Sequence, residues 1–160
     1  MPTAFEVDLK GLDKIVKKLR ELGPKVERSA LRRASRKAMN IVRDAARAKV
    51  KTADDPATAE NIAKNIVVQE SSRRSKTVGG VVMRVGVLGG ARDTNLGGLV
   101  GVKNLKDNPG GDTWYWRFLE FGTEQQAAQP FMRPALEENT DNVTDTMAVE
   151  LNKALDKLAQ

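Results

Sequence analysis

Carboxylates and amines are the main side chains left for acid–base chemistry in this sequence, because its 160 residues include no histidine and no cysteine. The familiar Ser-His-Asp and Cys-His catalytic arrangements and the commonest zinc ligands are therefore absent. The carboxylate pairs Asp54-Asp55 and Glu137-Glu138 are adjacent in sequence, so their side chains diverge on a helix or a strand. No phosphate-binding glycine loop, dinucleotide fingerprint or metal-ligand spacing occurs. We expect a protein that is not an enzyme and that binds no cofactor and no metal.

Phosphate binding is the chemistry that the charged residues favour. From Lys25 to Lys51, ten Lys and Arg stand against two acidic residues, an excess of +8, whereas residues 135–160 carry −4 and the whole chain +6. Basic side chains along a helix attract DNA phosphates without reading sequence. A solvated charged face is the plain alternative. The residues that we assign to a DNA channel or a subunit interface are Arg28, Arg32, Arg36, Arg43 and Arg47.

Two N-terminal helices must position these charges. Apolar residues recur at helical spacing over 12–22, and Gly23-Pro24 ends that helix and opens the next. A spacing of three or four residues then predicts a long helix over 24–50. Its apolar stripe is mostly alanine, which lets a neighbouring element approach closely. The predicted stripe consists of Val26, Ala30, Ala34, Ala38, Ile41, Ala45 and Ala48.

The middle of the chain alternates in the manner of strands. Residues 66–68 begin a β-rich region, and apolar residues at every second position over 81–87 predict a strand buried mainly on one face. We expect an antiparallel hairpin with a flexible basic tip at residues 71–77. Residues 89–112 hold seven of the thirteen glycines and predict a second flexible loop, ordered by a partner. Residues 5–9 suit a short strand or an extended arm.

The whole chain, residues 1–160, is predicted to form one α+β domain. In this fold the N-terminal helices and a long C-terminal helix over 134–158 pack on a small antiparallel sheet, with a long Gly-rich loop. The N-terminus has no apolar run typical of a signal peptide, and no stretch approaches the roughly 20 apolar residues that cross a bilayer. We therefore expect a soluble protein without a membrane partner. The apolar stripe of the C-terminal helix is Leu136, Val143, Met147, Leu151, Leu155 and Leu158.

Six of the seven aromatic residues lie within residues 114–131. Residues 112–122 fit a buried central strand, or a short helix begun by Asp112 or Thr113 and closed by Gly122. We favour the helix because both of its ends are marked, and its face would then carry Trp114, Phe118 and Phe121. The rings either fill volume left by the alanine-rich helix, which we favour for most of them, or form the centre of a protein interface. We expect Glu120 and Arg133 to pair.

The string WRFLEFGTEQQAAQPFMRPALEEN resembles the signature of a family of tail components from long-tailed phages and their prophages. That signature is an aromatic-rich run into Glu-Phe-Gly-Thr, a short variable loop, and then Gln-Pro-Phe, an apolar residue and Arg-Pro-Ala. The order of elements agrees more loosely, and the Gly-rich segment has no counterpart. The motif residues that we assign to folding and assembly are Trp116, Phe118, Glu120, Phe121, Gly122, Thr123, Gln129, Pro130, Phe131, Arg133 and Pro134.

The resemblance implies a structural virion protein of the neck, similar to the minor tail protein Z group of lambda-like phages, which completes the tail and joins it to the head. It implies assembly in the host cytoplasm, other neck and tail proteins as partners, and a hexameric ring formed from a monomer in solution. The charges agree, since a basic and an acidic helix can pack between copies and a basic face suits a DNA channel. Two alternatives stay open: a tail terminator that stops tail-tube polymerisation, and a basic architectural DNA-binding protein.

Overall fold

The computed structural model describes residues 12–54, 57, 59–89 and 108–158. Within these ranges it contains seven helices and one two-stranded antiparallel sheet, so the predicted α+β class is confirmed. The strand or arm predicted at residues 5–9 and most of the Gly-rich loop lie outside the described residues. The elements are α1 (Asp13–Glu21), α2 (Pro24–Val50), α3 (Ile62–Asn65), β1 (Ile66–Glu70), α4 (Ser72–Val78), β2 (Met83–Val87), α5 (Trp116–Phe121), α6 (Met132–Glu137) and α7 (Thr140–Leu158).

Helices α1 and α2 meet at the predicted corner. Gly23 has a φ of 112°, which only glycine adopts readily, and its N–H donates to the Arg20 carbonyl at 3.0 Å. Pro24 then occupies the first position of α2, where its missing N–H leaves no helical hydrogen bond unmade. The corner brings Leu19 of α1 into one core cluster with Ala30 of α2.

Helix α2 is the element on which the rest of the fold packs. Its buried residues recur every four positions, and each such step advances about 40° around a helix. The buried face therefore turns by roughly half a circle along α2. The predicted stripe is right as far as Ala38. Beyond it, Val42, Ala46 and Val50 are buried in place of the predicted Ile41, Ala45 and Ala48. The buried residues are Ala30, Ala34, Ala38, Val42, Ala46 and Val50.

The turn of the buried face lets α2 serve two core clusters. Its N-terminal half packs with α1 and α7, where Leu19 and Leu151 are completely buried. Its C-terminal half packs with α3, β1, α5 and α6, where Val50, Ile66 and Phe131 are completely buried. The sequence pattern assumed that one side of α2 faces a single partner along its whole length. Because α2 changes partners near its middle, the second half of the predicted stripe was misplaced.

Strands β1 and β2 form the predicted antiparallel hairpin, with Val68 opposite Val85. The connection, predicted as a flexible basic tip, contains helix α4, which ends at Gly79 with a φ of 67°. Ser75 is buried, and its hydroxyl accepts the Val82 N–H at 2.9 Å, which holds the helix against the sheet. The flexibility of residues 71–77 stays a prediction.

The predicted single C-terminal helix is in fact two helices, α6 and α7. The Asn139 side-chain amide donates to the Ala135 carbonyl at 2.9 Å, and the Thr140 hydroxyl donates to the Leu136 carbonyl at 3.0 Å. Such side-chain contacts compete with the helical backbone bonds of the preceding turn. Helix α6 ends there, and α7 then runs along α2, so that Leu151 reaches the N-terminal core cluster.

Candidate functional site

Helix α5 carries the first half of the aromatic motif. It begins at Trp116, and no side chain caps it, so the helical interpretation is right and the predicted caps Asp112 and Thr113 are wrong. The Thr113 backbone carbonyl accepts the Trp116 N–H instead, at 3.1 Å. Gly122 ends the helix with φ 75° and ψ 178°, a positive φ as predicted but outside the left-handed helical region. A Cβ there would lie 2.8 Å from a backbone nitrogen of the next loop, so glycine is required.

The segment that follows, residues 123–130, is here called the motif loop. The Thr123 N–H donates to the Gln126 carbonyl at 2.9 Å, and the Thr123 hydroxyl accepts the Gln126 N–H at 3.1 Å. The Gln129 N–H donates to the Leu119 carbonyl of α5 at 2.7 Å. Every residue of the motif loop is nevertheless exposed. The loop is therefore held by its backbone and presents its side chains to solvent.

Glu120 joins the two halves of the motif. Its carboxylate is buried, with 5% of the residue exposed, and it accepts the backbone N–H groups of Phe131, Met132 and Arg133 at 2.7, 2.9 and 3.1 Å. These donors at the start of α6 have no partner within the helix, and a negative charge there is also favoured by the helix dipole. The predicted ion pair is therefore wrong, because Glu120 contacts the backbone of Arg133 and not its guanidinium group.

Three of the six clustered rings pack in or against the core. Phe131 is completely buried, and the ring of Trp116 meets it edge-on with centroids 6.5 Å apart. Tyr115 and Trp116 are partly buried against the same cluster. We favoured core filling for most rings. It therefore applies fully to Phe131 and in part to Tyr115 and Trp116.

The remaining rings approach the surface. Trp114 meets Phe118 edge-on with centroids 5.6 Å apart, and the Arg117 guanidinium lies 4.9 Å from the centre of the Phe118 ring. Phe121, by contrast, is 62% exposed. The predicted common face therefore holds for Trp114 and Phe118 and not for Phe121, which stands beside the motif loop as an exposed aromatic residue.

Two of the basic residues assigned to a channel or an interface bind within their own subunit. The Arg32 guanidinium lies 2.5 Å from the Glu70 carboxylate, and Arg28 lies 3.7 Å from it. The hydrogen bond from Arg32 holds the pKa of Glu70 below its ordinary value, although burial opposes this, and the charges of Arg32 and Arg28 add to the lowering. These arginines hold α2 against the end of β1.

Two further members of that set also have internal partners. Arg43 pairs with Asp44 at 2.8 Å, and the Arg47 guanidinium donates to the Ile66 carbonyl at 2.7 Å. Of the five assigned residues, only Arg36 is exposed and makes no polar contact with any residue that the structure describes. Contacts within the subunit therefore engage four of the five assigned arginines.

The acidic helix also binds within its own subunit. Glu150 of α7 accepts Lys37 at 2.7 Å and Lys153 at 3.2 Å, while Glu138 pairs with Lys49 at 2.7 Å. The hydrogen bonds from Lys37 and Lys153 hold the pKa of Glu150 below its ordinary value, against the effect of burial. Within one chain, α2 therefore pairs with α7 through Lys37 and Glu150. The packing of a basic on an acidic helix between copies stays a prediction.

Exposed charges without an internal partner remain on both α2 and α7 after these pairs. We call Lys25, Arg33 and Arg36 of α2 the basic stripe, and Asp141, Asp145 and Asp156 of α7 the acidic stripe. All six side chains are exposed, and none forms an ion pair or hydrogen bond with a partner in the described ranges. The sequence pattern could not distinguish these residues from the internally paired charges on the same helices.

Sequence reasoning missed one polar residue that positions the motif. Asn65 is completely buried, and its side-chain amide donates to the Gly111 carbonyl at 2.9 Å and to the Thr113 hydroxyl at 2.8 Å. Its side-chain oxygen accepts the Gly110 N–H at 2.8 Å. These bonds fix the chain directly before α5. A single asparagine ahead of a strand carries no sequence signal for partners 45 or more residues away.

Three carboxylates influence one another near the start of α3. Burial, followed by the charges of Asp112 and Asp54, raises the pKa of Glu60 above its ordinary value. Asp54 is itself engaged, since it accepts the Ile62 N–H at 2.8 Å and the Tyr115 hydroxyl at 3.2 Å. Across the described ranges, no cluster of acidic residues is arranged to hold a metal ion, and no helix there is long and apolar enough to cross a membrane.

Comparison with known proteins identifies one family. The model of the family described as "Bacteriophage HK97-gp10, putative tail-component" matches residues 13–122. The match includes α1 to α5 and ends at Gly122, so α6, α7 and the second half of the motif lie beyond it. No curated protein and no solved structure matches the chain.

Proposed function

Because the chain belongs to the HK97-gp10 family of bacteriophage tail components, we propose that it is a non-enzymatic structural protein of the virion neck. It completes the tail and joins it to the head, after assembly in the host cytoplasm. Its partners are other neck and tail proteins and further copies of itself. The copies are monomeric when dilute and form a hexameric ring around the DNA channel in the virion.

An exposed aromatic residue at the end of α5, beside a loop that is held at both ends, is the observation that carries this proposal. Glu120 uses a buried carboxylate to hold the end of α5 against the start of α6, and the motif loop lies between these two points. Phe121 projects at the beginning of the loop. Aromatic residues are enriched at the centres of protein interfaces, and a preformed loop loses little entropy on binding. This surface suits contact with another neck protein.

Deletion of the gene from the phage tests the neck role by electron microscopy. Tails of normal length that stay separate from filled heads support tail completion. Tails of abnormal length support the alternative of a tail terminator, because tube polymerisation then lacks its stop. Intact virions contradict both roles.

The exposed aromatic residue can be tested separately with Phe121→Ala in the phage. We expect a normally folded protein whose heads and tails remain unjoined, because the side chain contacts solvent in the isolated subunit. Val78→Ala is the matched control, since Val78 is a 65% exposed apolar residue on α4, outside the motif. Normal joining by the Phe121→Ala phage contradicts the role of this residue, whereas the deletion still decides the role of the protein.

A basic architectural DNA-binding protein is the candidate function from another class. Exposed Arg33 and Arg36 on α2, together with Arg73 and Arg74 on α4, favour it, because phosphate attraction needs no base contacts. The internal partners of the other α2 arginines weaken it. Steeply salt-dependent binding of duplex DNA by the isolated monomer supports this candidate. Self-association without DNA binding at physiological salt supports the assembly role.

A further inference from the structure

We propose that one copy of this chain binds the next through the basic stripe of α2 and the acidic stripe of α7. The inference rests on the ring assembly in the proposed function and names the two surfaces that meet. Since one copy contributes α2 and its neighbour contributes α7, the contact is head-to-tail. Contacts of this kind close into a ring when the rotation between copies permits.

Charged residues that connect elements within the subunit have partners, whereas those of the two stripes do not. On α2, Arg32 and Lys37 reach Glu70 and Glu150, which are themselves largely shielded from solvent. Lys25 and Arg36 have no such partner in the part of the chain that the structure describes. The acidic stripe likewise remains after Glu150 is paired. Helices α2 and α7 therefore carry exposed charges of opposite sign that have no partner in the described part of the chain.

Two charges of each stripe point away from the contact between α2 and α7. Ala30 of α2 and Leu151 of α7 meet in the same core cluster. Lys25 and Arg36 are five and six residues from Ala30, which turns them roughly 120–140° away from it around the helix. Asp145 and Asp156 are six and five residues from Leu151 and turn away by the same amount. These four side chains are therefore open to solvent on helix faces that another copy can reach.

Charges of the two stripes have the same spacing along their helices. Lys25 and Arg36 are eleven residues apart, and so are Asp145 and Asp156. Eleven residues span about three turns and 16 Å of helix, and their ends point within roughly 20° of each other. Two such helices lying side by side can therefore pair both charges at once.

Each stripe also adjoins an exposed apolar residue. Val149 is 50% exposed and lies between Asp145 and Asp156 in sequence, while Leu22 is 48% exposed and precedes the basic stripe. Burial of these side chains between copies would add apolar area to the contact. Charge complementarity then sets the orientation and the rate of encounter, while the apolar contacts add affinity.

Charge reversal on each stripe provides the test. In sedimentation velocity at low salt, we expect the wild-type chain to self-associate as its concentration rises, and added NaCl to weaken the association. The variants K25E/R36E and D145K/D156K should each remain monomeric, because each then carries two surfaces of the same sign. An equimolar mixture of the two variants should associate again, since every contact in an alternating assembly pairs opposite charges.

Two charge-matched variants control for net charge. R73E/R74E on α4 changes the charge as K25E/R36E does, and E124K/E137K changes it as D145K/D156K does; all four positions are exposed and lie outside the stripes. Both controls should associate like the wild type. Circular dichroism and thermal unfolding identify any variant that has lost its fold.

The proposal is overturned if the wild type stays monomeric at the highest concentration and lowest salt. It is also overturned if the stripe variants associate as the wild type does, or if their mixture stays monomeric. Loss of duplex DNA binding by K25E/R36E, with unchanged self-association, would assign the basic stripe to DNA instead. Failure of this contact leaves the neck role standing if deletion phages still accumulate unjoined heads and tails. Intact virions without the gene would remove the neck role and leave the sedimentation result unaffected.

Discussion

The carboxylate of Glu120 accepts a hydrogen bond of 2.7 Å from the backbone N–H of Phe131, eleven residues further along the chain. Because the Phe131 ring is completely buried, this bond ties the core residue directly before α6 to the last turn of α5. The motif loop begins and ends at these two fixed points. The motif therefore joins a packed interior to an exposed surface.

Removal of the Glu120 charge should destabilise the fold. Glu120→Gln should lower the free energy of unfolding by about 1.5–3 kcal/mol, because buried N–H groups lose a charged acceptor. Glu120→Ala should lower it further by leaving those donors without a partner. Urea denaturation measures both effects, with exposed Glu124→Gln of the motif loop expected within about 0.5 kcal/mol of wild type. A Glu120→Gln protein as stable as wild type would show that the charge on these three hydrogen bonds contributes nothing to stability.

The two phenylalanines that flank the motif loop should respond oppositely to truncation. Phe131→Ala should cost about 3–5 kcal/mol, because it leaves a cavity in the core. Phe121→Ala should change stability by less than about 0.5 kcal/mol, since most of its side chain contacts solvent. Chemical denaturation of the purified variants checks both values. Similar losses at the two positions would contradict the burial described above.

A methyl group at Gly110 should be poorly tolerated. A Cβ there would overlap the Asn61 carbonyl oxygen, and the Gly110 carbonyl is itself held by the Asn61 N–H at 2.7 Å. Gly110→Ala should therefore cost about 1–3 kcal/mol or more through overpacking. Gly86→Ala in β2 is the control, because nothing lies within 4 Å of the added carbon. Equal melting temperatures for the two variants would disprove the close approach of these backbone segments.

Two glutamates should give pH dependences of opposite sign. The pKa of Glu150 is lowered in the folded chain by the hydrogen bonds from Lys37 and Lys153, so its stabilisation is present above the unfolded pKa and is lost as pH falls through the folded pKa. Glu150→Gln should therefore be less stable than wild type at pH 7, and the difference should vanish in acid. Thermal unfolding across pH 2–7 measures this.

The pKa of Glu60 is raised, chiefly by burial, so its ionisation weakens the fold as pH rises through the folded pKa. Glu60→Gln should therefore be more stable than wild type at pH 7, with no difference well below the unfolded pKa. The same pH series, run on this variant, provides the comparison. A lower stability of Glu60→Gln at pH 7 would contradict the direction of this pKa shift.

Local signals account for the elements that the sequence predicted correctly. Gly23-Pro24 marks the corner between α1 and α2, and alternation marks the hairpin of β1 and β2. The resemblance to phage tail components is also confirmed, since the family model matches residues 13–122. The break between α6 and α7 was missed because Asn139 and Thr140 interrupt a helix only when their side chains turn back onto its carbonyl groups.

The sequence by itself determined helices α1, α2 and α5, the hairpin, the family and the excess of positive charge on α2, because each depends on neighbouring residues or on composition. Only the tertiary structure decided which charges are used internally. Arg32 meets a carboxylate 38 residues away, and Lys37 meets one 113 residues away. Such partners depend on how distant segments pack, and no local pattern encodes them. The exposed side chain of Phe121 and the two unpaired stripes became visible for the same physical reason.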